Sequence, residues 1–392
     1  MSHSVAQLPT PFVVTAFSAV QQSRDGAAPF LQEANFLWLT HLTEPDWLYV
    51  NDGERTYLVS PQRSEQQRLF DGGMSDDAAR TMSGVDEVVS PEVWQSRLQQ
   101  IAVKYTTVYT LGPDPSEDHY DFVSNPAPKK LRTLLKKQGV TVEDVRPVLS
   151  KMRACKRAEE LKKQRAAIAV TVRAFERVRH QLEAAQYQYE YEIEADMTQI
   201  IRASGAEGHA YEPIVASGKN ALTLHWCKNT DRLPRHGLVL IDVGARVEGY
   251  AADITRTYAI GTPTDRERAV HAAVEAVHRA IIALIAPGVS LAAYSDAVDD
   301  IMKDALQTLG LLAHRDDTDT YRKYFPHAIS HGLGLDVHES LGGFTEFQPG
   351  MVLTVEPGIY IPEEGIGVRI EDDILVTETG NKNLSAGLST AL

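Results

Sequence analysis

Two segments decide the reading of this chain: Leu238-Val239-Leu240-Ile241-Asp242-Val243-Gly244, and, six residues on, Tyr250-Ala251-Ala252-Asp253-Ile254-Thr255-Arg256-Thr257-Tyr258. Both read as strands, and the intervening residues can turn. Asp242 ends an otherwise apolar run. A lone ionised carboxylate in such surroundings costs several kcal/mol of desolvation unless something compensates it. A turn centred on Val247-Glu248 would set Asp242 directly opposite Asp253, with Cβ atoms about 5 Å apart on one face. Like charges at that distance repel, and a divalent cation between them removes both difficulties.

The device recurs. Met351-Val352-Leu353-Thr354-Val355-Glu356 is followed by Ile366-Gly367-Val368-Arg369-Ile370-Glu371-Asp372-Asp373. A two-residue turn at Glu363-Glu364 would pair Glu356 with Glu371. Between the hairpins lies His327-Ala328-Ile329-Ser330-His331-Gly332-Leu333-Gly334-Leu335-Asp336-Val337-His338. Neutral imidazole is a common metal ligand beside carboxylates. Gly332 and Gly334 are expected to let the backbone pass close to a ligand. Four carboxylates balance two divalent cations, and one histidine adds a neutral fifth ligand. A water between two such cations becomes a nucleophile near neutral pH. His225, His338, Glu356 and Arg369 are candidates for base, oxyanion stabiliser and substrate contact, so the residues point to a dinuclear hydrolase.

The surrounding chain fits an ordinary enzyme. At 392 residues it suits two domains. With 39 basic against 53 acidic residues the net charge is −14, which argues against a nucleic-acid partner. Two cysteines, Cys155 and Cys227, are too few for a disulfide scaffold. The first residues, MSHSVAQLPTPFVVTAF, lack the basic and apolar regions of a signal peptide, and no apolar run is long enough for a membrane span. A cytoplasmic location with no membrane partner is therefore expected. Residues 1 to about 150 alternate short strand-like runs (Val13-Val14, Trp47 to Val50, Thr56 to Val59, Val88-Val89, Val108-Tyr109) with turn signals at Asn51-Asp52-Gly53 and Asp71-Gly72-Gly73. A helix is expected from Pro128 to Gln138, stopped by Gly139. His41, Asp46 and His119 stand isolated there. From Lys151 a long charged helix is expected, with an apolar stripe through Leu161, Ile168, Val172, Phe175, Val178 and Leu182. Two further helices are expected over about 265–286 and 291–309.

The motifs LIDVG (240–244), YAADITRTY (250–258), HAISHGLGLDVHE (327–339), VLTVEPGIY (352–360) and GVRIEDDILVT (367–377) resemble, in order and context, those of the creatinase/aminopeptidase P/prolidase family. LIAPGVS (284–290) and, more weakly, ANFLWLTHLTEPDWLYV (34–50) are similar as well. The resemblance implies an α+β protein, with a C-terminal pita-bread catalytic domain over 156–392 and a smaller N-terminal creatinase-type α/β domain over 1–155. It implies five metal ligands, Asp242, Asp253, His331, Glu356 and Glu371, with Asp253 and Glu371 bridging the two ions. Glu356 would also shuttle the proton of the attacking water. His225 and His338 would contact the substrate or the tetrahedral intermediate, and His327 and Arg369 would orient ligands or hold substrate. Two positions depart from the family: Trp226 stands where tyrosine is usual, and His41 where glycine is frequent. The activity implied is metal-dependent hydrolysis of Xaa-Pro dipeptides, with manganese before cobalt or zinc, by a homodimer. The second reading is an Xaa-Pro aminopeptidase acting on longer peptides. A non-catalytic pita-bread binding protein is the reading from a different class, set aside because all five ligands are present.

Overall fold

A computed structural model describes residues 8–113 and 123–392; His119 lies outside them. The chain forms two compact units that divide at Met152/Arg153. No helix among the described residues is long and apolar enough to cross a membrane.

The first unit is built on a six-stranded sheet of β1 (Phe12–Thr15), β2 (Leu48–Asn51), β3 (Thr56–Val59), β4 (Glu87–Val89), β5 (Thr107–Thr110) and β6 (Thr141–Asp144). Their order is β4-β3-β2-β1-β5-β6. The β1–β2 and β2–β3 pairs are antiparallel, and the remaining pairs are parallel. β6 is polar and was not among the expected strands. The helices are α1 (Ala34–Thr40), α2 (Glu65–Asp71), α3 (Asp76–Ser83), α4 (Pro91–Lys104) and α5 (Pro126–Lys137). Asp71-Gly72-Gly73 closes α2 rather than joining two strands. α5 begins two residues before the expected Pro128, with Asn125 as its side-chain cap. His41 caps α1 at φ 61°, in the left-handed region, which explains why glycine suits that position. The core joins Val13, Val50 and Val108 of the sheet to Trp94, Leu98, Leu131 and Leu135 of α4 and α5.

The expected long helix from Lys151 is two helices. α6 (Arg146–Ala154) ends before Cys155, and α7 (Ala158–Glu183) begins after Arg157. The break has a local cause: Cys155 bridges to Met351, and Lys156 N–H donates to Gly350 O at 2.8 Å, so this stretch is held extended. Ile168, Phe175 and Val178 of the stripe are buried, while Leu161, Val172 and Leu182 are partly so.

The second unit repeats one plan: antiparallel strands covered by a helix pair. After the short β7 (Gly208–His209), β8 (Ile214–Ser217), β9 (Gly237–Asp242) and β12 (Thr255–Ile260) form an antiparallel sheet whose Val239 and Ile241 pack on α7 and α8 (Glu190–Ala203). β13 (Val352–Val355), β14 (Gly358–Ile361), β15 (Ile366–Arg369) and β16 (Asp372–Val376) place Leu353, Val355, Val368 and Ile374 against α9 (Asp265–Ile282) and α10 (Leu291–Thr308). Because strand side chains alternate, the opposite faces hold Asp242 in the first sheet and Glu356, Arg369 and Glu371 in the second.

The two hairpins treat the expected register differently. In the first, β10 (Ala245–Val247) pairs with β11 (Tyr250–Ala251), with Val247 opposite Tyr250. The turn therefore centres on Glu248-Gly249, not on Val247-Glu248. Glu248 and Gly249 have φ of 46° and 81°. Tight hairpin turns of this kind need both central residues left-handed, which a β-branched valine resists. Asp242 consequently faces Thr255, and Asp253 lies diagonally on the same face. Gly244 permits the close crossing, since a Cβ there would stand 1.7 Å from Ala252 O. In the second, Val355 faces Asp372 and Gly358 faces Arg369, so Glu356 and Glu371 fall opposite one another as expected. The loop itself holds four residues, 362–365, between Ile361 and Ile366, rather than a two-residue turn.

Candidate metal and active site

A cavity of about 350 Å³ is lined by all nine residues singled out in the sequence: Asp242, Asp253, His331, Glu356, Glu371, His225, His327, His338 and Arg369. Asp253, His331 and Glu371 each offer one ligand atom, and the three atoms lie within 4.8 Å of one another. His331 Nε2 is 3.6 Å from Asp253 Oδ2 and 3.5 Å from Glu356 Oε1. The backbone of His331 is fixed beside β13: its N–H donates to Thr354 Oγ1 at 3.2 Å, and Thr354 N–H donates to its carbonyl at 3.0 Å.

Burial first, then mutual repulsion, pushes Asp253, Glu356 and Glu371 well above the ordinary carboxylate range. For Asp253 the main repelling neighbour is Asp242, and for Glu371 it is Asp253. Burial, then His338, pulls His331 down to about 4, so its ring is neutral at pH 7 and free to donate a lone pair. Buried acids that repel one another, gathered around a neutral imidazole, suit a divalent cation of hard or borderline character. These residues fit the metal that the motifs imply.

The remaining groups orient these acids. Arg369 is buried; its Nη2 donates to Asp242 Oδ2 at 2.6 Å, its Nη1 to Tyr360 Oη at 2.8 Å and its Nε to Thr255 Oγ1 at 3.2 Å. Thr255 in turn donates to Glu371 Oε2 at 2.7 Å. Tyr360 Oη is 3.0 Å from His327 Nε2, and burial pulls that imidazole down to about 4. His225 and His338 are exposed at the mouth of the cavity.

The packing around the site assigns roles to the loop glycines and to Trp226. Gly332 and Gly334 are required by the packing of their own loop. A Cβ at Gly332 would lie 2.5 Å from Glu339 O, and one at Gly334 would lie 2.3 Å from Glu339 Oε2. Trp226 is an anchor: its Nε1 donates to Glu190 Oε2 at 3.0 Å, on a buried carboxylate that also accepts from Ser217 and Asn220. A phenol at the acids comes instead from Tyr211, which sequence reasoning missed. Its hydroxyl lies 2.5 Å from Asp242 Oδ1 and 2.6 Å from Asp253 Oδ1. A tyrosine in a loop 31 residues before Asp242 carries no local signal, whereas Tyr360, inside the VLTVEPGIY motif, joins the same network through Arg369.

Residues 162–378 match the model of metallopeptidase family M24, and residues 4–109 match the aminopeptidase P N-terminal domain. The chain belongs to family M24. The Xaa-Pro aminopeptidase of Escherichia coli (strain K12) is 33% identical, over 96% of this chain and 90% of that protein. Among solved structures, E. coli aminopeptidase P with the inhibitor Pro-Leu superposes with a TM-score of 0.84 at 31% identity, covering 99% of this chain and 94% of that one. Zinc-substituted E. coli aminopeptidase P in complex with product gives 0.83 at 32%, with the same coverage. The M24 chain therefore has the pita-bread architecture and the smaller N-terminal domain that its motifs implied, and it is a metallopeptidase. The dipeptidase reading gains nothing from these relatives; aminopeptidase P, the second reading, fits better.

Proposed function

We propose that this protein is a metal-dependent Xaa-Pro aminopeptidase that releases the N-terminal residue from peptides with proline in second place. The observation that carries this is the match, across both domains and nearly end to end, to the E. coli Xaa-Pro aminopeptidase. That match favours this reading over the first expectation, a dipeptidase. An X-Pro amide lacks an N–H and is sterically restricted, so general peptidases handle it poorly.

Asp242, Asp253, His331, Glu356 and Glu371 would hold two divalent cations, with Asp253 and Glu371 shared. Manganese is proposed ahead of cobalt and zinc. Cations bound there would polarise the scissile carbonyl and make water acidic. Glu356 would take the proton of the attacking water and return it to the leaving proline nitrogen; its burial favours the protonated form that such a shuttle passes through. His225 and His338 would meet the substrate carbonyl and backbone from the mouth of the cavity. Arg369, with its donors directed at Asp242, Tyr360 and Thr255, would set the ligand carboxylate rather than bind a peptide terminus. The domain boundary is proposed at 155/156, the location as cytoplasmic and the assembly as a homodimer.

Ala-Pro, Ala-Pro-Ala and Met-Ala-Ser, compared at saturating manganese, test the reading. Ala-Pro-Ala should be cleaved fastest. Faster cleavage of Ala-Pro would restore the dipeptidase. Cleavage of Met-Ala-Ser alone would indicate a methionine aminopeptidase, and no turnover at verified metal occupancy would indicate a binding protein.

A further inference from the structure

His331 and His338 stand at the two ends of one loop. Their rings meet edge to face, 4.4 Å between centroids at 79°. The loop closes where Glu339 N–H donates to Gly332 O at 2.8 Å. The chemistry described so far leaves Glu339 itself unused, yet its carboxylate is buried between two buried cations. Arg153 brings Nε to 3.1 Å and Nη2 to 2.5 Å from Oε1, and Lys156 Nζ bonds Oε2. Arg153 Nη2 also reaches Asp336 Oδ2 in the same loop at 2.7 Å. Further donors grip the loop backbone: Arg246 Nη1 at Leu335 O (2.7 Å) and Gln164 Nε2 at Leu333 O (3.1 Å).

Buried ion clusters add little stability over a well-packed apolar contact, because desolvation offsets their attraction. What a guanidinium and an ammonium on one carboxylate do supply is direction. An apolar side chain at 339 could bury the loop equally well, but it would leave free the rotation of the residue next to His338. We infer that Glu339, held by Arg153 and Lys156, is a positioning residue that sets the His338 imidazole over the substrate pocket. The inference rests on the reading of His338 as a substrate-facing group of an Xaa-Pro peptidase.

The test is a double-mutant cycle on the metal-loaded full chain, with Ala-Pro-Ala as substrate. Glu339→Gln keeps the shape and removes the charge. It should lower kcat/KM by up to ~10²-fold at unchanged metal content, as small misplacements do. In a His338→Ala background the same change should cost almost nothing, because both act through one ring. An equal loss in both backgrounds, or a loss that only follows metal content or melting temperature, overturns the inference. If Glu339→Gln fails to fold, Lys156→Met keeps the Arg153 pair and runs through the same cycle with the same expected outcomes. Amide exchange supplies a readout without substrate: residues 332–338 should exchange faster in the variant while α9 stays unchanged. Unchanged exchange in the loop overturns the inference as well. A parent chain inactive on every peptide sinks the functional reading, and the exchange measurement then still decides whether Glu339 holds the loop.

Discussion

Acidification should destabilise the second unit through His278, by an amount the structure allows to be worked out. His278 is on α9, buried, with Nε2 3.4 Å from Asp372 Oδ2 and no hydrogen-bond partner for that nitrogen. Burial outweighs the attraction of Asp372 and lowers its pKa from 6.5 to about 4. An unfolded chain takes up the proton as pH falls through 6.5, whereas the folded chain takes it up only near 4. The unfolded state thus binds more protons in that window, and stability falls as pH falls. One pKa unit is worth 1.36 kcal/mol, so pH 5, about 1.5 units below the unfolded value, costs about 2 kcal/mol relative to pH 8. The cost levels off at about 3 kcal/mol below pH 4. The assay compares the parent with His278→Gln in urea between pH 8 and 5, with chelator present. It follows exchange of α9 amides, so that the first unit does not contribute. The variant should begin less stable at pH 8, and its curve should be flatter by about 2 kcal/mol. Two curves parallel to within ~0.5 kcal/mol would mean that the folded protein carries the proton on His278, and the argument from burial would fail.

Three further outcomes concern the acids. Asp253→Asn should lose metal and nearly all activity, and metal analysis of the purified variant checks it; normal occupancy with normal turnover removes Asp253 from the ligand set. Stripping the metals leaves buried carboxylates facing one another, so a chelated sample should melt lower than the loaded one and recover on re-addition. Glu356→Gln should slow turnover by ~10²–10⁴-fold, with occupancy measured beside the rate; near-normal turnover at full occupancy rules out the proton shuttle.

The gathering of these residues around one cavity was legible because acids are expensive to bury. Asp242, Glu356 and Glu371 interrupt apolar runs, and an acid in such a run demands a partner. The second register could be read too, since an odd separation of Glu356 and Glu371 about a plausible turn leaves one simple pairing. The first was misread because the choice between Val247-Glu248 and Glu248-Gly249 is made by φ, and only the glycine tolerates the second left-handed position. The break at Cys155 was invisible for another reason: its cause is Met351 and Gly350, about two hundred residues away.

What the sequence determined by itself is therefore the set of chemical groups and their order: two strand pairs with acids on one face, three histidines between them, and helices to cover the other faces. Local periodicity and the cost of burying charge are enough for that. The tertiary structure alone decided which groups support the acids. Tyr211 reaches Asp242 and Asp253 from a separate loop, Trp226 turns to Glu190, and Arg153 and Lys156 close on Glu339 from the far end of the second unit. Such contacts join residues 31 to 186 positions apart, through hydrogen bonds that leave no periodic trace in the chain.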